Sequence, residues 1–372
     1  MPHAAKPVLF ATGHAPAYRV GALARLHERE GIELALFGGA FAHGGAGYAG
    51  ELPLPHRVVR PRELLALAAS GEYRAVVVPT GGRLAPLAAW AGARRARVPV
   101  ILWASLWAHP RTIPHAVTYQ PLRRLYRSAD AVVTYGPHVS SYVRARGAVN
   151  VHEAPQSVDN EFWGAPSASR PTGLPAAPWP ANTAARFVFV GRAVREKGLD
   201  VLLAAWRSSS LAPAAAALAI VGAHPAAARS PDTNPATSEG VAWLGALAPQ
   251  QLRAVYTGAD VLVVPSIRTR TFREPWGLVV NEAMNQGLAV IATDAVGAAA
   301  GGLVRAGRNG VVVRAGDERA LADALTLLAG DAELRARLGA AGREDVRAYS
   351  HDAWAAGFSA AFASVDVSRE RC

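Results

Sequence analysis

Residues that cross-link a chain or anchor it in a membrane are nearly missing from this sequence. Its only cysteine, Cys372, has no partner within the 372 residues, which excludes a disulfide scaffold. No apolar run approaches the roughly 20 residues that span a bilayer, and the richest stretch, residues 211–223, is interrupted by Pro213 and Gly222. The first ten residues lack the apolar stretch and cleavage site of a signal peptide. These absences predict a cytoplasmic protein, or one that is peripheral at the inner face of the cell membrane.

Lysine and several catalytic signatures are equally scarce. Only Lys6 and Lys197 are lysines among 39 basic residues, so a lysine kept in this arginine-biased chain is a candidate for a chemical role. The Walker pattern, a complete G-x-S-x-G elbow and Cys or His clusters at metal-ligand spacing are absent. The sequence therefore argues against a P-loop nucleotidase, a serine hydrolase of that type and a zinc site.

The charge that is present is strongly positive and unevenly distributed. With 28 acidic residues against 39 basic ones the formal charge is +11. Residues 1–165 carry 18 basic and 10 acidic residues (+8), whereas residues 166–372 carry 21 and 18 (+3). The first half therefore either attracts anionic partners or is simply a solvated arginine-rich surface.

Hydrophobic patterning predicts the architecture. Short β-branched runs alternate with longer Ala-, Leu- and Arg-rich stretches in both halves of the chain. This alternation is typical of parallel sheets covered by helices, so we predict an α/β protein with two Rossmann-like, doubly wound domains that face each other across a cleft. Ligands of such domains bind at the carboxyl ends of the strands.

Proline marks the boundary between the predicted domains. Residues 166–185 contain five prolines and no apolar periodicity, and are predicted to be a linker between an N-terminal domain, residues 1–165, and a C-terminal domain, residues 186–350. Residues 351–372 are predicted to form a helix that packs back toward the N-terminal domain. Its aromatic residues recur every four positions on one face: Trp354, Phe358 and Phe362.

A loop-and-helix segment from Glu274 to Met284 combines carboxylates with an anion-binding backbone. Glu274 lies in the predicted loop, Glu282 in the early turns of the helix, and Gly277 allows close approach of a ligand. The amides of residues 277–279 favour an anion. Carboxylates that bind hydroxyls beside an anion site fit a sugar nucleotide, in which hydroxyls lie on both sides of a diphosphate.

Two cations follow another predicted strand in residues 191–198, Gly-Arg-Ala-Val-Arg-Glu-Lys-Gly. Arg192 and Lys197 at the carboxyl end of a strand can bind a diphosphate and neutralise the charge of a departing one. The sequence therefore predicts a second part of the same nucleotide-sugar site.

In this order, the segments resemble those of the retaining glycosyltransferases of family 4, which have the GT-B fold. Residues 190–192 with residues 196–198 are similar to the family's diphosphate clamp, and Glu274 with Glu282 is similar to its paired-glutamate motif. The resemblance covers nearly the whole chain and includes residues 154–160, 287–294 and 309–310. The absence of Asp-x-Asp disfavours the metal-dependent GT-A type.

The resemblance implies roles for individual residues. Glu274 would hold hexose hydroxyls of the donor, Glu282 the ribose hydroxyls, and Arg192 and Lys197 the diphosphate. The backbone around three residues would contact sugar and phosphate: Trp276, Gly277 and Leu278. The donor would be a UDP- or GDP-sugar, with neither cofactor nor metal. Retention would follow from front-face attack, in which the leaving phosphate oxygen helps to deprotonate the acceptor.

The N-terminal half contains the remaining candidates. Gly13 follows the first predicted strand and is expected to bring its amide to the diphosphate, while His14 and Arg19 are expected on the acceptor side. His109, after the fourth strand of the family pattern, is the candidate for contact with the donor hexose. The expected acceptor is a glycan, a lipid-linked molecule or another anionic compound, in cell-surface polysaccharide or glycolipid synthesis.

The sequence also fits alternative interpretations. A non-catalytic nucleotide-sugar or polyanion-binding protein could keep the same fold, and the charge alone would suit nucleic acid, although no recognition motif supports that partner. The Gly-x-Gly-x-x-Gly pattern at residues 45–50 does not precede a helical pattern, which argues against a dehydrogenase. Trp103, Trp107 and the arginines of residues 111–127 form either a patch that binds anionic lipid or core tryptophans beside solvated arginines.

Overall fold

The structure, a computed structural model, describes residues 6–38, 52–81, 84–167, 178–224 and 240–370, without the side chains of residues 114 and 367–370. Residues 45–50, part of the predicted linker (168–177) and Cys372 lie outside the described residues. The chain divides into two compact units. The first comprises residues 1–159 and 349–372, and the second comprises residues 160–348.

The first unit is built on a parallel sheet. Its strands are β1 (Val8–Thr12), β2 (Ile32–Leu36), β3 (His56–Val58), β4 (Ala75–Pro79), β5 (Val100–Ala104), β6 (Ala131–Thr134) and β7 (Val151–Glu153). They pair in the order β3-β2-β1-β4-β5-β6-β7. In this order the chain reverses direction across the sheet between β1 and β4, so the loops that follow these two strands diverge and leave room for a ligand.

Helices cover this sheet on both faces. They are α1 (Ala17–Glu30), α2 (Glu63–Ala68), α3 (Ala85–Ala96), α4 (Ile113–Ser128), α5 (Pro137–Arg144) and α13 (His351–Glu370). Helix α13 packs on α1 and on strands β6 and β7. Its three regularly spaced aromatic residues are at most 1% exposed and belong to a hydrophobic cluster that also contains Phe10 and Leu23. Helix α13 thus completes the core of the first unit.

The second unit repeats the same plan. Its strands are β8 (Ala185–Val190), β9 (Ala216–Val221), β10 (Val241–Gly245), β11 (Val261–Val264), β12 (Ala289–Thr293) and β13 (Gly310–Val313), in the parallel order β10-β9-β8-β11-β12-β13. Its helices are α6 (Asn160–Gly164), α7 (Leu199–Ser208), α8 (Pro249–Thr257), α9 (Val279–Asn285), α10 (Gly297–Ala300), α11 (Glu318–Gly330) and α12 (Ala332–Asp345), with short 3₁₀ turns at Arg195–Lys197 and Val346–Ala348. The prediction of two doubly wound α/β domains is confirmed.

One helix departs from its sequence pattern. The pattern predicts a helix only from Leu122 to Ser128, whereas α4 begins at Ile113 and contains Pro121. A proline lacks the N–H that would bond to the preceding turn, so it usually ends a helix. Here the residues around it are exposed to solvent, and water can satisfy the freed carbonyl.

Candidate functional site

The two predicted donor-binding segments follow neighbouring strands of the second unit. Strand β8 pairs directly with β11, with Val261 opposite Phe187, and these strands form the topological switch point of the sheet. The segment after β8 and the loop after β11 therefore emerge side by side. A backbone hydrogen bond of 3.0 Å from Ile267 N to Glu196 O joins them.

Lys197 and Glu274 meet in this place as an ion pair between Nζ and Oε2. The Glu274 side chain is 9% exposed and that of Lys197 is 25% exposed, so the carboxylate is compensated by a cation that solvent still reaches. An ammonium group has three N–H donors. Lys197 can therefore keep one on Glu274 and direct the others at an anionic ligand.

Glycines allow the segments to approach this closely. Gly198, which ends the 3₁₀ turn, has φ +69°, and a Cβ there would lie 2.0 Å from Pro265 O. Any other residue would clash with the loop after β11 and would also be strained by its positive φ. Gly198 thus fixes the position of Lys197 relative to the loop that carries Glu274.

The Glu274 loop is fastened to the segment after β12. Glu274 forms a parallel bridge with Val296, and Gly297 N donates to Glu274 O over 3.1 Å. A Cβ on Gly297 would lie 1.9 Å from Pro275 O. These contacts hold the backbone at Glu274 in place independently of the ion pair between its side chain and Lys197.

Residues 276–278 lead from this loop into α9. Trp276 is 3% exposed and its Nε1 donates to Asn281 Oδ1 over 2.8 Å, so the indole is a structural anchor. Gly277 has φ +93°, which a glycine adopts without strain. Leu278 directly precedes the first residue of α9, Val279. The backbone at these three predicted positions lies within the turn that links the Glu274 loop to α9.

Glu282 on α9 has a partner that the sequence does not reveal. Tyr256 Oη, on α8, donates to Glu282 Oε2 over 3.0 Å. Burial raises the pKa of the Glu282 carboxyl to about 7, and the tyrosine hydrogen bond only partly opposes this effect. Burial, with the Glu282 charge, raises the pKa of Tyr256 well above its usual value. Glu282 thus titrates near neutral pH.

Arg192 differs from Lys197 although they belong to the same segment. Its side chain is exposed and makes no hydrogen bond or ion pair within the described part of the chain. Arg195, in the same turn, is exposed as well. Arg192 therefore has a guanidinium that is available to an anionic ligand, next to the paired Lys197.

The candidates of the first half all lie in the first unit. Gly13 follows β1, and its carbonyl accepts a hydrogen bond of 2.7 Å from Gly38 N. His14 and Arg19 line a cavity at the carboxyl ends of β1 and β5. His109 lies between β5 and α4, with Nε2 2.7 Å from His115 O and its ring 5.0 Å from Tyr119. The structure thus brings His14 and Arg19 together, whereas His109 packs against the start of α4.

The structure also decides between the two interpretations of the tryptophans. The Trp103 ring lies 5.5 Å from Phe10 and that of Trp107 lies 5.1 Å from His138. They pack within the first unit. The large aliphatic residues that α4 exposes to solvent are instead Ile113, which is 84% exposed, and Val117, which is 72% exposed.

Neither metal ligation nor a membrane span emerges from the described ranges. No three His, Cys, Asp or Glu side chains in them are grouped so that they could hold a metal ion. None of the described helices is both long and apolar enough to traverse a bilayer.

Comparison with known proteins adds to this geometry. Residues 178–345 match the family model described as glycosyl transferases group 1. Over 287 residues, which are 71% of this chain and 68% of the relative, the sequence is 32% identical to the GDP-mannose-dependent alpha-(1-6)-phosphatidylinositol monomannoside mannosyltransferase of Mycobacterium tuberculosis. The chain belongs to the glycosyl transferases group 1.

Other relatives of this group 1 chain match shorter stretches. It is 40% identical over 117 residues to the D-inositol 3-phosphate glycosyltransferase of Corynebacterium glutamicum, a stretch that covers 31% of this chain and 26% of that protein. The match to the protein of the same name from Corynebacterium aurimucosum covers 39% of that relative. The chain thus spans between about a quarter and two-fifths of the length of these curated relatives.

Solved structures share the fold of this group 1 chain. Anabaena Alr3699/HepE in complex with UDP and glucose superposes with a TM-score of 0.74 at 17% identity, covering 96% of this chain and 100% of that chain. The sucrose-phosphate synthase of Thermosynechococcus elongatus superposes with a TM-score of 0.67 at 21% identity, covering 98% of this chain and 100% of that chain. The fold is that of the GT-B glycosyltransferases.

Proposed function

We propose that this group 1 protein transfers a hexose-type sugar from a UDP- or GDP-linked donor to a glycan or lipid-linked acceptor, with retention of the anomeric configuration and without a metal ion. The observation that carries the proposal is the Lys197–Glu274 ion pair at the switch point between β8 and β11. It combines, on two neighbouring segments, a cation for a phosphate and a carboxylate for hydroxyls.

The donor would be held by groups of both signs. Lys197 and Arg192 bind the diphosphate, Glu274 accepts hydrogen bonds from the hexose hydroxyls, and Glu282 accepts them from the ribose. The turn of residues 276–278 lies against the sugar and phosphate. The names of two similar proteins support this donor class, since one is GDP-mannose-dependent and another was solved with UDP and glucose.

In the proposed reaction the acceptor oxygen forms a bond to the anomeric carbon while the bond from that carbon to the diphosphate oxygen breaks. The acceptor proton passes to the departing phosphate oxygen, so no protein nucleophile is required. The electron pair of the broken bond stays on the diphosphate. Lys197 and Arg192 stabilise this developing charge, which is the kind of electrostatic contribution that often dominates enzymatic rates.

The acceptor would be bound by the first unit, with His14 and Arg19 among the contacts, Gly13 near the diphosphate and His109 near the transferred hexose. A lipid-linked acceptor agrees with the surface of α4. Residues 109–129 contain four arginines and no acidic residue, and Ile113 and Val117 are exposed one turn apart. Such a helix face suits an anionic lipid surface.

The experiment that tests the proposal measures donor binding and turnover together. Thermal unfolding is followed with UDP-glucose and GDP-mannose, because a ligand that binds only the folded state raises its stability. Release of UDP or GDP and the anomeric configuration of the product are then measured with and without EDTA. Donor binding without turnover would indicate the non-catalytic binding protein instead, and inversion or inhibition by EDTA would contradict the corresponding part of the proposal.

The membrane contact is tested separately by sedimentation with vesicles. We expect the protein to bind vesicles that contain about 30 mol% anionic lipid and not to bind zwitterionic vesicles, because each basic residue near the surface contributes ~1 kcal/mol. The double substitution Ile113→Asp and Val117→Asp should abolish it. Equal binding to both vesicle types would contradict an electrostatic lipid contact.

A further inference from the structure

A cavity of ≈ 190 Å³ opens in the first unit where β1 and β5 end. Six residues define its polar and aromatic lining: Thr12, His14, Tyr18, Arg19, Trp103 and Tyr135. Ligand pockets for drug-sized molecules measure roughly 300–1,000 Å³. This cavity is smaller, and it is suited to a group the size of a monosaccharide or less.

Arg19 is a buried cation that forms no ion pair with a described residue. The residue is 5% exposed, and one of its two terminal nitrogens, Nη2, donates to Gln156 Oε1. The other, Nη1, is buried and has no hydrogen-bond partner among the described residues. No carboxylate within the described ranges forms an ion pair with Arg19.

This arrangement is costly unless something else binds there. An ion moved from water into a protein interior loses several kcal/mol of hydration, and buried charges are therefore normally paired. Besides Gln156, aromatic rings lie beside Arg19: its guanidinium carbon is 5.3 Å from the Trp103 ring centroid and 5.6 Å from that of Trp354. Aromatic faces attract a cation, but they carry no formal negative charge that would neutralise it.

The start of α1 adds positive potential to the same cavity. This helix has 14 residues, no side-chain cap at Pro16 and no acidic residue in its first turn. Uncapped amides and the helix dipole both favour an anion at this end. Pro16 and Tyr18 line the cavity together with Arg19, so the helix terminus and the buried cation share one space.

The geometry points to an oxyanion subsite: we propose that this cavity binds the phosphate or carboxylate group of a monosaccharide-sized ligand, and that Arg19 selects charged over neutral ligands. Tyr18, Trp103 and Tyr135 provide aromatic surface for the apolar face of the sugar ring. The assignment of this ligand as the acceptor rests on the proposed function, whereas the anion selectivity of the cavity does not.

Calorimetric titration of the full chain tests the subsite with four probes: a hexose 6-phosphate, a hexuronate, the neutral hexose and inorganic phosphate. Hydrogen bonds to charged groups contribute enough for a preference of about tenfold to a hundredfold for the charged sugars over the neutral one. The two charged arms distinguish a phosphate from a carboxylate site. Equal affinity for charged and neutral hexose would overturn the proposal.

Arg19→Met, which keeps the length of the side chain, should remove this preference. Arg25→Met is the matched control, because Arg25 is on the same helix, is exposed and pairs with Glu28 and Asp352. It should leave the preference unchanged. A preference that survives in folded Arg19→Met would refute the role of Arg19.

Tyr18→Ala provides an independent variant should Arg19→Met fail to fold, because Tyr18 is 48% exposed. It should weaken binding of the hexose phosphate several-fold and leave inorganic phosphate unaffected, since only the former has a ring. Equal loss for both probes would contradict the proposed orientation of the ligand.

Donor binding on the same proteins separates this inference from the proposed function. Wild type and Arg19→Met should both be stabilised by UDP- or GDP-sugar. If the donor binds and is turned over but no charged sugar is preferred, only the subsite is wrong. If charged sugars are preferred and no nucleotide sugar binds, the proposed function is wrong and the subsite stands.

Discussion

The two units share the strand order around the switch point, yet the cation near the ligand-binding edge has a different environment in each unit. In the second unit Lys197 is one quarter exposed and pairs with the carboxylate of Glu274. In the first unit Arg19 is more deeply buried, and its only hydrogen-bonding partner among the described side chains is the neutral Gln156. One topology thus supports a compensated site and an uncompensated one.

The difference indicates what each edge can bind. A paired cation can hold a diphosphate while its carboxylate partner accepts hydroxyls, so the second unit suits a ligand that is both charged and hydroxylated. An unpaired buried cation gains most from a single anionic group. Since the strand order around the switch point is the same in both sheets, the difference comes from loop and helix-terminal residues, where the function of a fold generally resides.

The largest effect is expected from breaking the compensated site. Lys197→Ala and Glu274→Ala should each lower kcat by about a hundredfold to a thousandfold, as loss of one electrostatic group in an active site typically does. Steady-state measurement of nucleotide release tests this, with circular dichroism to establish that the variants fold. Glu318→Ala, a change at an exposed position on α11, is the control. Full activity of either site variant would refute the site assignment.

The second prediction contrasts the stability of the two units. Lys197→Met leaves the buried Glu274 without its cation and should lower the free energy of unfolding by about 2 kcal/mol, less than for a fully buried pair because Lys197 is partly exposed. Arg19→Met leaves no buried anion behind, and should not lower the free energy of unfolding by more than about 1 kcal/mol. Urea unfolding monitored by circular dichroism measures both. Equal losses would show that Arg19 is compensated after all.

The third prediction concerns the free cation beside the paired one. Arg192→Ala should lower kcat/KM by roughly tenfold, because one charge-assisted hydrogen bond to the diphosphate is lost. Arg195→Ala is the matched control, since it removes an exposed arginine from the same segment. The same loss in both variants would indicate general attraction of the donor by positive charge, without a specific contact at Arg192.

The smallest effect is a pH dependence of donor binding in the second unit. Burial raises the pKa of Glu282 to about 7, so the folded protein keeps this proton above the ordinary pKa of the group, 4.5. Its contribution to stability is complete below 4.5 and is lost as the pH rises through about 7.

Donor binding should change in the opposite direction, since ribose hydroxyls are accepted best by the ionised carboxylate. Affinity for UDP- or GDP-sugar should rise about fourfold between pH 6.5 and 8, in proportion to the ionised fraction. The Glu282→Gln variant should bind the donor more weakly, and its affinity should not change with pH over this range. Calorimetry can measure both. A pH dependence that persists in Glu282→Gln would assign it to another group.

Much of the second unit's candidate site could be predicted from short-range patterns. Gly191 to Gly198 and Glu274 to Glu282 are contiguous segments, and strand–loop–helix alternation places each at the carboxyl end of a strand. The side-chain partners of these residues could not be predicted from sequence. Tyr256 comes from α8, 26 residues before Glu282, and only the fold brings its hydroxyl within hydrogen-bond distance of the Glu282 carboxylate.

The cavity of the first unit was still less predictable. Arg19 and Gln156 are 137 residues apart, and Trp354, which packs on Arg19, comes from the helix at the end of the chain. His109 illustrates the same limit, because its contacts with His115 and Tyr119 exist only after α4 extends to Ile113. Its expected contact with the donor hexose stays a prediction.

The sequence by itself determined the fold class, the family and the segments that carry charge at the strand ends, because hydrophobic periodicity and contiguous motifs are local properties of the chain. Tertiary structure decided which cations are compensated. Whether a buried charge finds a counter-ion depends on residues that the fold brings together from distant positions, and on the water that their packing excludes. For that reason Lys197 with Glu274, and Arg19 without any carboxylate among the described residues, could be told apart only in three dimensions.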